Sequence, residues 1–274
     1  MTSLNVEIPR LEFVEQGGYR MAYRQWGDTS STSALVLVHG ITSSSLSWIR
    51  VAPRLGRHAR TIVVDLKGHG DSDRPASGYR LTDQADEIAG LIRVLALSDV
   101  KLMGHSWGGG ISLELGARPD LPISRIVLED PAISVGGGDA ALRRQVVNNY
   151  IESVGLTPEA AEARVRGSAP ASWTEEDIVG KIDASVKGSP LGVQAVFTEN
   201  GAWDAVEQLR LLHVPTLLVR AEIANGGIVG EHVLAVAAQN PLIQVVTIPG
   251  ADHNIHRGQF DAFMATIEPF LKSG

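Results

Sequence analysis

The 274 residues contain no cysteine, which removes disulfides, thiolate nucleophiles and thiolate metal sites together. Positive charge is nowhere concentrated. The 24 Lys and Arg are scattered among 31 Asp and Glu, the net charge is −7, and no basic stripe is present to hold a polyanion. Nucleic acid is therefore not an expected partner. No apolar run approaches the roughly 20 residues of a membrane span, and Met1 to Arg10 lacks the apolar stretch of a signal peptide. The location expected is cytoplasmic, with no membrane partner. No histidine–carboxylate cluster has metal spacing, and Gly136-Gly137-Gly138 lacks the strand–helix context of a phosphate loop, so it reads as a hinge.

What remains is ordinary for a folded chain, with 44% hydrophobic and 20% charged residues, enough for one large core. Strand and helix patterns alternate. Leu11–Gln16 and Tyr19–Gln25 read as a hairpin about Gly17-Gly18. Ala34–Val38, Thr61–Val64, Val100–Met103, Ile123–Leu128, Pro215–Arg220 and Gln244–Ile248 are apolar runs suited to strands buried on both faces. Leu46–Leu55 reads as a helix limited by Pro53. Ile88, Leu91, Ile92 and Leu95 repeat at helical spacing, with Thr82 placed to cap, and Phe260, Phe263, Met264, Ile267, Phe270 and Leu271 form a closing amphipathic helix. Residues 131–203 break the alternation with helical pieces and no convincing strand. This predicts a core of residues 1–130 and 204–274 carrying a helical cap over the carboxyl edge of the sheet.

Gly104-His105-Ser106-Trp107-Gly108 is the most informative segment, because a strand precedes it and helical spacing follows. A serine in G-x-S-x-G at a strand-to-helix turn has the form of a nucleophile elbow. The turn strains the serine backbone, and glycine at 104 and 108 removes side chains that would collide with it. A serine hydroxyl needs a base. His253 is the candidate, in the loop between the last strand and the last helix, where it can lean back over Ser106. His256 is its rival, read as a surface or packing residue. His39 and His105 flank the site turns, and the other histidines read as structural.

With these residues in place the chain resembles the α/β-hydrolase superfamily, nearly end to end. Val38-His39-Gly40, Asp65-Leu66-Lys67-Gly68-His69-Gly70-Asp71-Ser72 and the elbow carry the resemblance. It implies an α/β fold with an eight-stranded, mostly parallel sheet and a helical cap after strand six. It also implies an oxyanion hole made by the backbone N–H groups of Ile41 and Trp107. One departure stands out. Where many relatives carry an aspartate after strand seven, this chain reads Ala221-Glu222-Ile223-Ala224. Asp130, at the end of strand six and 24 residues after Ser106, is the substitute expected, as in some superfamily members; Glu222 and Glu129 are the competitors. Asp65 and Asp71 are expected to fix a loop, and Trp48, Trp173 and Trp203 either to wall the pocket or to pack.

The activity this implies is cleavage of a small-molecule carboxylic ester or lactone by Ser106, His253 and Asp130 through an acyl-enzyme, with no cofactor and no metal. A homodimer is left open. Two alternatives stand beside it: a serine-dependent carbon–carbon bond hydrolase of a diketone, and a ligand-binding receptor on the same scaffold.

Overall fold

Gly17 and Gly18 both take positive φ (60° and 77°), and this turn folds β1 (Glu12–Gln16) back on β2 (Tyr19–Trp26) as an antiparallel hairpin. The computed structural model describes residues 6–135 and 140–272, so the glycine hinge at 136–138 lies outside the described residues. The apolar runs then supply β3 (Ser33–Val38), β4 (Arg60–Val64), β5 (Asp99–His105) and β6 (Ile123–Glu129). A separate antiparallel pair follows, β7 (Ser134–Val135) with β8 (Trp203–Asp204), and then β9 (Thr216–Arg220) and β10 (Ile243–Thr247). The main sheet has eight strands in the order β1-β2-β4-β3-β5-β6-β9-β10. β2 runs antiparallel to both its neighbours, and every pair from β4 to β10 is parallel.

Consecutive residues of a strand face opposite sides of the sheet, and the core divides accordingly. Val36, Leu102 and Leu128 pack with Ile88, Ile92 and Ile111 on one side. Leu37, Met103 and Val127 pack with Trp48, Phe263 and Ile267 on the other. Each such side chain contributes roughly 1.5–3 kcal/mol by leaving water.

The helices around and above the sheet are α1 (Val51–Leu55), α2 (Leu81–Val94), α3 (Trp107–Gly116), α4 (Ala140–Ile151), α5 (Pro158–Ser168) and α6 (Glu175–Lys187). They continue as α7 (Pro190–Asn200), α8 (Val206–Leu211), α9 (Glu231–Ala237), α10 (Ile255–Gly258) and α11 (Phe260–Lys272). Among the described residues no helix is long and apolar enough to cross a membrane.

Three local expectations need correction. The single helix over Leu46–Leu55 is a 3-10 turn (Ser45–Trp48) followed by α1, with Pro53 in the first turn, where its missing N–H costs nothing. The cap of α2 is Arg80 rather than Thr82: the Asp83 carboxylate accepts the Arg80 N–H at 3.2 Å, and Thr82 lies inside the helix. The stretch 131–203 is not free of strand, because β7 and β8 pair at its two ends and form a neck from which α4–α7 project.

Candidate active site

β5 ends at His105 and α3 begins at Trp107, so Ser106 alone makes the turn, at φ 54° and ψ −117°. That backbone conformation is one L residues rarely adopt and costs about 1–3 kcal/mol. Hydrogen bonds over-determine it. Ser106 N–H donates to the Glu129 carbonyl (3.0 Å), and the Ser106 carbonyl accepts from Gly110 (3.1 Å) and Ala132 (2.9 Å). A Cβ at Gly104 would sit 2.1 Å from the Gly108 carbonyl oxygen, and one at Gly108 would sit 2.3 Å from that of Val38. Both glycines are required by close backbone approach.

His253 reaches this turn from the loop between β10 and α10. Its Nε2 is 2.9 Å from Ser106 Oγ, and its Nδ1 is 2.6 Å from Asp130 Oδ2. An imidazole that donates Nδ1–H to the carboxylate leaves Nε2 free to accept the serine proton. Asp130 is fully buried and takes a positive φ of 36° just past β6. Its carboxylate also accepts the N–H groups of Ala221 (3.2 Å) and Ile228 (3.1 Å), so three donors fix it. Glu222 is not brought to His253; its carboxylate accepts from Gly250 N–H and Asn225 Nδ2, each at 3.0 Å.

The neighbouring Glu129 serves a different histidine. Its carboxylate accepts both the backbone N–H (2.8 Å) and Nδ1–H (2.8 and 2.9 Å) of His256, the first-turn residue of α10, which is buried and packs on Trp48. His105 stands between the two, its ring centroid 4.7 Å from His253 and 5.1 Å from His256, and its Nε2 donates to the His253 carbonyl at 2.9 Å. Burial pushes Glu129 up to about 7 and holds His105 and His256 well below the usual imidazole range, so both rings are neutral. The metal-binding atoms of His105, Glu129 and His256 lie within 4.8 Å of one another. The Glu129 carboxylate already accepts from His256 and His105 Nε2 donates to the His253 carbonyl, so an ion using these atoms would have to displace those bonds, while His256 Nε2 is buried without a partner.

This second network was missed in the sequence. Its one signal was two adjacent carboxylates closing an apolar strand, where consecutive side chains must diverge.

Ile41, Trp107, Ser106 and His253 line one cavity of about 430 Å³. The N–H groups of Ile41 and Trp107 have no partner among the described residues, as an oxyanion hole requires. Its walls are apolar: Trp203 packs edge-on to Trp107 with ring centroids 4.9 Å apart, and Tyr150 stacks on Phe197 at 5.8 Å. Among the described residues Arg143, from α4, is the one Lys or Arg lining it. Trp48 and Trp173 pack elsewhere, under His256 and Arg257.

The loop that presents Ile41 is held by two buried histidines. His39 Nε2 accepts from Leu66 N–H (3.0 Å) and His69 Nε2 from Thr42 N–H (3.3 Å), and desolvation pulls them down to about 4 and about 3. Asp65 likewise accepts from the Ser45 and Asp71 backbones, at 2.6 and 3.1 Å.

A serine on a strained strand-to-helix turn, bonded through one imidazole to a buried carboxylate at the carboxyl edge of a mostly parallel sheet, defines a hydrolase scaffold. A family model described as alpha/beta hydrolase fold matches residues 33–147. The 2-(acetamidomethylene)succinate hydrolase of Mesorhizobium japonicum is 31% identical over 257 residues, spanning 89% of this chain and 90% of that protein. A crystal structure of E-2-(acetamidomethylene)succinate hydrolase superposes with a TM-score of 0.82 at 27% identity, covering 96% of this chain and 99% of the other. The N-formylmaleamate deformylase of Pseudomonas putida is 28% identical over 260 residues, 94% of this chain and 95% of that protein. The chain belongs to the alpha/beta hydrolase family.

Proposed function

We propose that Ser106, His253 and Asp130 transfer an acyl group to water through a serine acyl-enzyme. His253 Nε2 takes the Ser106 proton as Oγ bonds to the substrate carbonyl carbon. The Ile41 and Trp107 N–H groups hold the oxyanion, worth several kcal/mol because the donors are fixed beforehand. The imidazolium protonates the leaving group as its bond to the carbonyl carbon breaks. His253 then deprotonates water, whose oxygen attacks the acyl carbon and frees Ser106 and the carboxylic acid, while Asp130 stays ionised throughout. The observation that carries this reading is the continuous chain of 2.9 Å and 2.6 Å bonds from Ser106 through His253 to Asp130. The same chain favours catalysis over the receptor alternative.

The leaving group is where the expectations part. The names of the two relatives favour hydrolysis at a bond other than a carboxylic ester, the side of the carbon–carbon alternative. We therefore place the preferred substrate among small acids in which the bond broken joins the reacting carbonyl to a carbon or nitrogen leaving group, with Arg143 as the pocket's counter-charge. An ester or lactone is the second reading. The aromatic walls favour it, since they suit an apolar acyl or alkyl group. The segment 131–203 acts in either case as the cap, contributing Arg143, Tyr150, Phe197 and Trp203 to the pocket.

A panel of 2-(acetamidomethylene)succinate, N-formylmaleamate, a vinylogous diketone, a γ-lactone and a p-nitrophenyl ester tests both. The N-acyl or diketone acids are expected to show the highest kcat/KM, and Ser106→Ala to abolish every activity. Turnover confined to the ester and lactone would reverse the order of the two readings, and turnover surviving Ser106→Ala would end both.

A further inference from the structure

We infer that the helical segment carries a second ligand site, for a small oxyanion seated between α5 and α6 against Arg164, Trp173 and Lys181. A cavity of about 80 Å³ lies there, closed also by Ser153, Ser168 and Ser185. At about 30 Å³ per water, it has room for one sulfate, phosphate or carboxylate group and not for a nucleotide. It shares no lining residue with the pocket at Ser106.

The lining supplies positive charge without a counter-charge among the described residues, while two of its hydroxyls, those of Ser153 and Ser168, already donate to the Tyr150 and Arg164 carbonyls at 2.7 and 2.9 Å. It includes Lys181 and Arg164 and no carboxylate. Lys181 Nζ donates to the Thr42 carbonyl (2.7 Å) and hydroxyl (3.2 Å) and pairs with no acid among the described residues. The Arg164 guanidinium makes one hydrogen bond among the described residues, a long one of 3.3 Å to the Glu152 carbonyl. Trp173 Nε1 is buried without an acceptor. Behind it, 4.6 Å from the Trp173 ring, lies the buried guanidinium of Arg257, whose Nε is also unpartnered. The acids nearest in sequence on α6 are committed: Asp177 pairs with Arg50 and Asp183 with Lys187, each at 2.9 Å.

Buried donors without acceptors are unfavourable, and so are like charges packed together. Burial, with Arg257 and Arg164 close by, accordingly pulls Lys181 down to about 7. An oxyanion in the cavity offers acceptors to the lining residues Lys181, Arg164 and Trp173 together and offsets the charge of Arg257 behind them. By keeping Lys181 protonated it also secures the bond to the Thr42 carbonyl, one residue beyond Ile41.

The test is thermal unfolding of the full chain titrated with sulfate against chloride at constant ionic strength, near pH 6 and near pH 8.5. Sulfate holds the same charge at both, and burial keeps the His39 and His69 rings neutral across that range. A saturable rise in Tm near pH 6 is expected, with affinity at least threefold weaker near pH 8.5, where Lys181 has lost its proton. Arg164→Gln, at an exposed position, and Lys181→Met are each expected to weaken it tenfold or more. Acetate in place of sulfate separates the sources. A matching rise assigns the site to a carboxylate metabolite, and a rise with sulfate alone assigns it to an inorganic anion. No saturable rise with either anion, or an undiminished rise in Arg164→Gln, would overturn the site.

Discussion

Replacing Asp130 by asparagine leaves size and shape almost unchanged and alters one thing, the identity of the group facing His253. In the native arrangement one carboxylate oxygen accepts from Ala221 N–H and the other from both Ile228 N–H and His253 Nδ1. An amide has a single accepting oxygen. With that oxygen toward Ala221, its NH₂ meets Ile228 N–H and forces His253 to accept at Nδ1, which moves the ring proton to Nε2 and blocks uptake of the Ser106 proton. With the oxygen toward His253, the NH₂ opposes Ala221 N–H, and the negative charge that stabilises the imidazolium is gone. A carboxylate in this role is worth up to ~10⁴ in rate, about 5 kcal/mol at 1.36 kcal/mol per decade. The assay is kcat on the best substrate of the panel, with the rate of fluorophosphonate labelling of Ser106 as a second measure and circular dichroism to establish folding. Glu222→Gln, which loosens only Gly250 and Asn225, is expected to stay within about threefold of the parent. A folded Asp130→Asn that keeps a tenth of kcat, or a Glu222→Gln that loses as much as Asp130→Asn, would refute the reasoning.

Three further outcomes are expected. His39 is neutral in the fold with its pKa lowered to about 4 from 6.5, so the unfolded chain binds more protons between these values; stability rises with pH across that window and is lost as pH falls through it. The loss is about 3 kcal/mol for this residue, read as urea midpoints at pH 7, 5 and 4, with His69 acting in the same direction and a His39→Gln variant showing a flatter profile. Glu129 has the opposite sign: its pKa is raised to about 7, so its contribution fades as pH rises toward 7, and Glu129→Gln should gain on the parent across that range in the same unfolding series. Gly104→Ala places a methyl 2.1 Å from the Gly108 carbonyl oxygen and is expected to lower Tm sharply and abolish labelling of Ser106. Wild-type labelling in that variant would contradict the packing described for the elbow.

The parts of this site that were legible in the sequence are those in which local pattern and chemistry coincide. The apolar run into Gly104 to Gly108 can form little else, and His253 follows a strand end and a glycine turn. The acid was ambiguous because carboxylates close both β6 and β9, and only the folded backbone shows Glu222 turned to Gly250 while Asp130 meets the imidazole. Glu129, His105 and His256 were illegible because their association depends on residues far apart in the chain meeting behind the sheet edge. Thr82 was misread as a cap because side-chain preference pointed to it, whereas the Asp83 carboxylate bonding the Arg80 backbone fixed the cap two residues earlier. The leaving group lies beyond the motifs altogether, since elbow, base and acid serve any acyl carbon.

Asp130 sits four positions before Ser134, where the neck begins, and the same short run of chain donates from Ala132 to the Ser106 carbonyl. The carboxylate facing the imidazole, the donor to the Ser106 carbonyl and a wall of the pocket at Ser134 thus share five consecutive residues. A substitution that displaces β7 is therefore expected to shift the aim of His253 together with the shape of the pocket.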